Sequence, residues 1–138
     1  MGQLLTIGEV ARRGNVTVDT VRYYERLGLL PRAARTPAGY RQYPEAVIQR
    51  LALVRHAQRF GFSLADIAGF LRVRDAGGRP CRAVRSAGER LLAAVDAQIA
   101  ELQTARARMR ETLDQWDARL ARTPSNRPAR LLETLSSD

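Results

Sequence analysis

The stretch "TIGEVARRGNVTVDTVRYYERLGLL", Thr6–Leu30, decides the fold. Thr6 followed three residues later by Glu9 has the form of a capping box, in which hydroxyl and carboxylate each satisfy an amide that a helix start leaves free. A helix therefore begins after Thr6, runs through Val10 and Ala11, and ends near Gly14. Thr17 is a second N-cap, so only Gly14-Asn15-Val16 separates the first helix from a second over Val18–Leu27. Gly28 supplies a left-handed stop, and Pro31 follows just beyond it. Two helices joined by so tight a turn form a helix-turn-helix. On the second helix Asp19, Arg22, Tyr23 and Arg26 stand at i, i+3, i+4 and i+7 and share one face, while Val18 and Val21 turn toward the first helix. That shared face is a strip of hydrogen-bond donors around an aromatic ring. Arginine pairs with phosphate or bridges the N7 and O6 acceptors of guanine, and a tyrosine hydroxyl donates to phosphate. A helix lying in the major groove of a duplex needs this composition. A solvated charged face with Tyr24 covering the core is the plainer alternative, to be weighed against what flanks the helix.

Downstream, "PRAARTPAGYRQY" (Pro31–Tyr43) has Pro, Gly and Thr at turn positions between short segments. It reads as a hairpin wing tipped at Thr36–Gly39, carrying Arg35, Tyr40 and Arg41 toward an adjacent backbone. Tyr43-Pro44-Glu45 opens a third helix with proline in its first turn; this helix contributes Arg55 to the same basic set, ends near Arg59 and stops at Gly61. Ser63, with Asp66 three residues later, caps a fourth helix that reaches about Arg74, and "DAGGRP" breaks the chain.

Charge agrees with this layout. The formal net charge is +9, and all 23 basic residues are arginine. Residues 1–60 hold ten Arg against four acidic groups, and the remainder thirteen against ten. The excess sits at the front, where a polyanion would dock. Arginine's planar fork suits phosphate, although a coding bias toward arginine would produce the same lysine-free composition.

From Cys81 onward the pattern changes. Leu92, Val95, Ile99, Leu102, Met109, Leu113, Trp116 and Leu120 recur at alternating steps of three and four, a heptad repeat with its a and d positions filled. Gly88 and Arg106 are the weak positions, and Arg106 at an a position disfavours wrong registers. A lone helix cannot bury such a stripe, so a partner is required. A second copy of the chain is the simplest one; folding back on the front domain is the alternative. A polar loop and a short apolar tail follow.

Together, "LTIGEVARRGNVTVDTVRYYERLGLL", "AGYRQY" and "AQRFGFSLADIAGFLRVRD" resemble the MerR-type transcription regulators, from Leu5 to about Leu135. The resemblance implies a mainly α chain: a winged helix-turn-helix DNA-binding domain (1–75), a hinge (76–80), a long antiparallel coiled-coil dimerisation helix (81–121), and a C-terminal loop and tail (122–138). It implies a homodimer on double-stranded promoter DNA that distorts an overlong spacer between the −35 and −10 elements so that RNA polymerase engages both. Carried over by motif, the groove-reading residues are Arg22 and Tyr23 with Thr20 near the helix start, the wing contacts are Arg35, Tyr40 and Arg41, and Arg59–Ser63 forms a second wing on the backbone.

Relatives of this size that sense metals place one cysteine at the start of the dimer helix and two more in the C-terminal loop. Cys81 matches the first, but Ala121–Leu132 contains neither Cys nor His, so the thiolates a soft metal prefers are missing. The branch that carries an oxidisable cluster needs four loop cysteines, and the drug-sensing branch carries a further domain. Three readings of Cys81 stand: a small packed residue at the helix start, a thiolate favoured by the helix N-terminus and by Arg79 and Arg82, or a metal ligand completed by oxygen donors. No cofactor is implied beyond that residue, and His56, the single histidine, receives no role.

Other classes have less support. A single cysteine makes no internal disulfide, which suits a reducing cytoplasm. No apolar run reaches the roughly 18 residues of a membrane span, and the N-terminus lacks the basic-then-apolar order of a signal peptide. Gly2 with Thr6 outlines a myristoylation signal by coincidence of position. Paired carboxylates, a Ser/His/Asp set and a phosphate-cradling glycine loop are all missing, so an enzyme is not expected. An architectural DNA binder without signal input shares the front end, and would show no effector-dependent transcription. A coiled-coil adaptor leaves the donor strip unexplained.

Overall fold

The computed structural model describes residues 3–137; Gly2 lies outside them. Element order is β1 (Leu4–Leu5), α1 (Ile7–Arg13), α2 (Val18–Arg26), β2 (Ala34–Arg35), β3 (Arg41–Pro44), α3 (Ala46–Phe60), α4 (Leu64–Asp75), α5 (Cys81–Arg122) and a closing 3-10 helix (Leu132–Ser137). The chain divides into two compact units, Met1–Leu91 and Leu92–Asp138. The front unit therefore includes the first turns of α5, which the sequence groups with the long helix.

Local chemistry sets the helix ends of the front unit. Thr6 and Glu9 close the capping box in both directions, Thr6 N–H to Glu9 Oε2 at 2.9 Å and Glu9 N–H to Thr6 Oγ1 at 3.2 Å. The Thr17 hydroxyl accepts from Thr20 N–H, and that of Ser63 from Asp66 N–H. At the far end of α2, Leu29 N–H returns to the Tyr24 carbonyl and Gly28 N–H to that of Glu25, with Gly28 at φ +79. The α4 terminus repeats this closure through Gly77 and Gly78, which bond the carbonyls of Arg74 and Val73. The expected break at "DAGGRP" is thus a defined helix stop.

The α1–α2 turn lies over Gly14-Asn15-Val16 as expected, between α1 and the Thr17 cap of α2. Gly14 keeps an ordinary helical φ of −82, and Asn15 takes the left-handed conformation at φ +54. Gly14 is a matter of room: a Cβ there would lie 2.7 Å from Leu51 Cδ1 and 3.0 Å from the Val10 carbonyl oxygen. Pro44 differs from expectation. It ends β3 rather than starting α3, and Glu45 precedes the helix without capping it; its carboxylate takes Arg13 Nη2 at 2.9 Å. The wing is as expected, with Thr36 N–H bonding the Tyr40 carbonyl and Gly39 N–H bonding that of Thr36. Strand β1 was not expected. It pairs antiparallel with β3, Leu5 opposite Tyr43, giving a three-stranded sheet of order β1-β3-β2.

Val10, Val21, Leu29, Tyr43, Val47, Leu51 and Val54 are fully enclosed, with Ile67, Ala68 and Leu71 of α4 in the same core. Each large aliphatic side chain so buried contributes roughly 1.5–3 kcal/mol. Two polar braces lock the helices around it. The Tyr24 hydroxyl donates to Gln58 Oε1 at 3.0 Å, joining α2 to α3. Arg50 grips Asp75 with both Nη atoms, at 2.8 and 2.7 Å, and donates from Nε to the Leu29 carbonyl.

In the second unit the apolar stripe of α5 faces water: Leu92 is 61% exposed, Ile99 48%, Leu102 70% and Met109 67%. Trp116, the seventh of the eight stripe residues, is half-buried instead, and its indole N–H donates to Thr134 Oγ1 of the tail at 2.8 Å. No helix among the described residues is long and apolar enough to cross a membrane.

Candidate nucleic-acid interface

The exposed face of α2 meets the wing across an open basin of about 680 Å³ lined by Arg22, Glu25, Arg26, Arg32, Arg35 and Arg41. Five guanidinium groups around a single carboxylate make a surface suited to phosphates. Arg22 is exposed and lies 3.5 Å from Asp19 Oδ1, an ion pair loose enough to yield to a stronger anion. The Arg26 guanidinium sits 5.7 Å from the centre of the half-exposed Tyr23 ring, which orients both groups. Thr20 is held lower on the helix, its Oγ1 2.8 Å from that of Thr17. On the wing, Arg35 Nη1 donates to the Gly39 carbonyl at 2.8 Å, and Tyr40 stands 73% exposed at the tip.

Arg41 is the least free of the wing residues. It is mostly buried, and its Nε lies 3.5 Å from Glu25 Oε2. Among the described residues this nitrogen is the one buried side-chain polar atom without a hydrogen bond. Glu25 is the centre of that contact. Its Oε2 accepts the Tyr43 hydroxyl at 2.6 Å and its Oε1 the Ala33 amide at 3.1 Å. Burial pushes the Glu25 pKa up, but the Tyr43 and Ala33 hydrogen bonds and the charges of Arg41 and Arg35 outweigh it and hold the carboxyl below its ordinary range. Burial and then the adjacent carboxylate raise the Tyr43 pKa far above the usual phenol range, so the hydroxyl remains a donor.

Asp75 is also held low, chiefly by the Arg50 hydrogen bonds. A carboxyl whose pKa is lower folded than unfolded stabilises the fold above its unfolded value and loses that contribution as pH falls through the folded one. Melting temperature should therefore stay level from neutrality down to about pH 4.5 and fall below it. Asp75→Asn should lower the neutral-pH value and shallow the acid decline; an unchanged acid slope would exclude Asp75 from the effect.

The other expected contacts lie elsewhere. Arg55 and Arg59 line a separate recess of about 350 Å³ with Arg13, Asn15 and His56. Arg55 there braces the helix-turn-helix, Nη1 donating to the carbonyls of Gly14 at 3.0 Å and Asn15 at 3.4 Å. Cys81 is an exposed free thiol at the first residue of α5. Among the described residues no group of three or more His, Cys, Asp or Glu side chains is arranged to hold a metal ion. Sequence reasoning missed Glu25, Arg32 and Arg13 as members of these surfaces. Arg32 was within reach of the net-charge argument, whereas the partners of Glu25 lie 8 to 18 residues away and leave no local spacing to read.

A capped helix-turn-helix, a hairpin wing and an arginine-lined basin between them define a winged helix-turn-helix DNA-binding protein. The MerR HTH family regulatory protein model matches residues 5–73, and the MerR, DNA binding model residues 48–112. The chain belongs to the MerR family of DNA-binding transcription regulators. It is 41% identical over 99 residues to the HTH-type transcriptional regulator ZntR of Escherichia coli K12, covering 71% of this chain and 70% of that one. It is 35% identical over 112 residues to a probable heavy metal-dependent transcriptional regulator of Haemophilus influenzae, covering 81% and 84%. Among solved structures it is similar to HiNmlR, a MerR family regulator lacking the sensor domain, bound to promoter DNA (TM-score 0.55, 27% identity, 87% and 95% covered). The N-terminus of the Bacillus subtilis multidrug transporter activator MtaN is also similar (TM-score 0.62, 26% identity, 76% and 96% covered). These relatives are regulators of transcription, and the chain is a regulator rather than an enzyme.

Proposed function

We propose that this regulator works as a homodimer, joined through an antiparallel coiled coil of its long helix, that grips promoter DNA at two symmetric half-sites. In response to an effector it untwists an overlong spacer so that RNA polymerase engages both promoter elements. The observation that carries this reading is the apolar stripe of α5, where seven of the eight heptad residues, all but Trp116, stand about half exposed or more in the single chain. A second copy covers that stripe and brings a second arginine basin onto the same duplex. Distorting a spacer costs on the order of 1–6 kcal/mol, which several arginine–phosphate contacts at two half-sites offset. The effector then needs only a differential affinity of a few kcal/mol between two dimer shapes. Its entry point on this reading is the start of α5, where Cys81 is exposed.

Footprinting with in vitro transcription, with and without metals, oxidants and electrophiles, tests the whole scheme. A symmetric footprint over an overlong spacer and effector-dependent transcription are expected; a footprint with transcription blind to every effector would leave an architectural binder. Arg22→Ala tests the reading face. It should weaken operator binding by about 1–3 kcal/mol and relax preference at one base pair per half-site. Equal loss on all sequences with a flatter salt dependence would assign Arg22 to phosphate instead.

A further inference from the structure

Glu25 is the carboxylate among the five arginines of the basin, and its side chain is only 14% exposed. A surface selected only to attract phosphate gains nothing from an anion there. The carboxylate, however, touches three separate parts of the reading head. It belongs to α2, one turn past Arg22 on the same helix. Its Oε1 holds the Ala33 amide in the segment leading into β2, and its Oε2 holds the Tyr43 hydroxyl and faces Arg41 Nε, both on β3. Arg35, on the wing's other strand, is tied to the Gly39 carbonyl. Both wing arginines are therefore positioned by the chain before any DNA arrives, and Glu25 is the group that links β3 and the segment entering β2 to the recognition helix.

We propose that Glu25 is a specificity-determining positioning residue: its one carboxylate fixes the spacing between the wing and the Arg22–Tyr23 strip, and it neutralises Arg41 enough to weaken the hold on random duplex. The spacing matters because phosphate contacts from the wing set the register in which α2 meets base edges. The neutralised charge matters because indiscriminate binding scales with the number of phosphates countered. Glu25 thus lowers affinity for random sequence while keeping the reading helix in register on the operator. This rests on the reading of the α2–wing basin as the DNA face.

The test compares Glu25→Gln, Tyr43→Phe and Arg22→Ala with the unaltered protein on operator and random duplexes over a range of salt. Glutamine matches glutamate in size but releases Arg41 and cannot accept bonds on both sides. Glu25→Gln should bind random duplex several-fold tighter, steepen the random-duplex salt dependence by about one counterion, and cut the operator-to-random ratio by about tenfold. Tyr43→Phe alters no charge and loses one of the ties, so its ratio should fall with the salt slope unchanged. Should Glu25→Gln fail to fold by circular dichroism, the Tyr43→Phe ratio decides alone: a fall supports the proposal and a wild-type ratio overturns it. If Arg22→Ala weakens operator binding while Glu25→Gln shifts only the melting temperature, with ratio and slope unmoved, the proposal is wrong and Glu25 is a structural brace. If Arg22→Ala changes neither affinity nor slope, the basin is not the DNA face and the proposal falls with that reading.

Discussion

Ile99→Glu is expected to leave the regulator monomeric at micromolar concentration and to lower operator affinity by roughly two to four orders of magnitude. Ile99 lies in the exposed apolar stripe of α5, seven residues after Leu92 and three before Leu102, at an a position of the heptad. In a two-stranded coil that position inserts into the facing helix. In the proposed two-fold dimer the substitution acts twice, once on each chain. Burying an unpaired carboxylate costs several kcal/mol per ion, which exceeds what one lost isoleucine contributes. The chains should separate, and each reading head would then meet its half-site alone, without the effective concentration its linked twin supplies. The paired control is Ala97→Glu on the opposite side of the helix, where the same charge stays in water and association should be untouched. Sedimentation and operator binding on the two variants decide the matter. If Ile99→Glu stays dimeric, the stripe is covered by something other than a second α5.

How far the residues announced this arrangement depended on the range of each interaction. The caps of α1, α2 and α4 were legible because donor and acceptor lie three residues apart: Thr6 with Glu9, Thr17 with Thr20, Ser63 with Asp66. The wing was legible because its turn is closed by Thr36, Gly39 and Tyr40 themselves. Strand β1 was not, since two residues carry no alternation to read and pairing comes from β3 some 40 positions on. Pro44 signals a helix start and a strand end equally well, and the pairing of β1 with β3 decided between them. The basin was half legible. Arg22, Tyr23 and Arg26 share a face by helical periodicity alone, whereas the inward commitment of Arg41 to Glu25 and of Arg55 to the α1–α2 turn depends on contacts 16 to 41 residues apart. Trp116 fits the heptad by spacing, yet Thr134 of the tail engages it.

Gly14 and Leu51 carry the other large effect. The φ at Gly14 is one that any residue adopts, and what the site lacks is space. Leu51 is fully buried on α3 and occupies the volume that a side chain at Gly14 would need. Leu51→Ala should destabilise the front unit by about 2–5 kcal/mol, the sum of lost burial and the cavity left behind. That is a large share of the 5–15 kcal/mol or so that keeps a small domain folded. Gly14→Ala should destabilise by about 1–3 kcal/mol through overpacking, since its new methyl group meets Leu51 Cδ1 and the Val10 carbonyl at once. The double variant is the discriminating one. With Leu51 shortened, the methyl group at residue 14 enters the vacated space, so the two effects should fall short of additivity by about 1 kcal/mol or more. Urea denaturation of the four proteins measures this coupling. Every basin arginine is retained in all of them, so the salt dependence of DNA binding by the folded fraction should not change. Strict additivity would mean that α1 and α3 relax apart at this contact, and that the helix-turn-helix is held by Arg55 and the core around Val10 and Val21 without the close approach at Gly14.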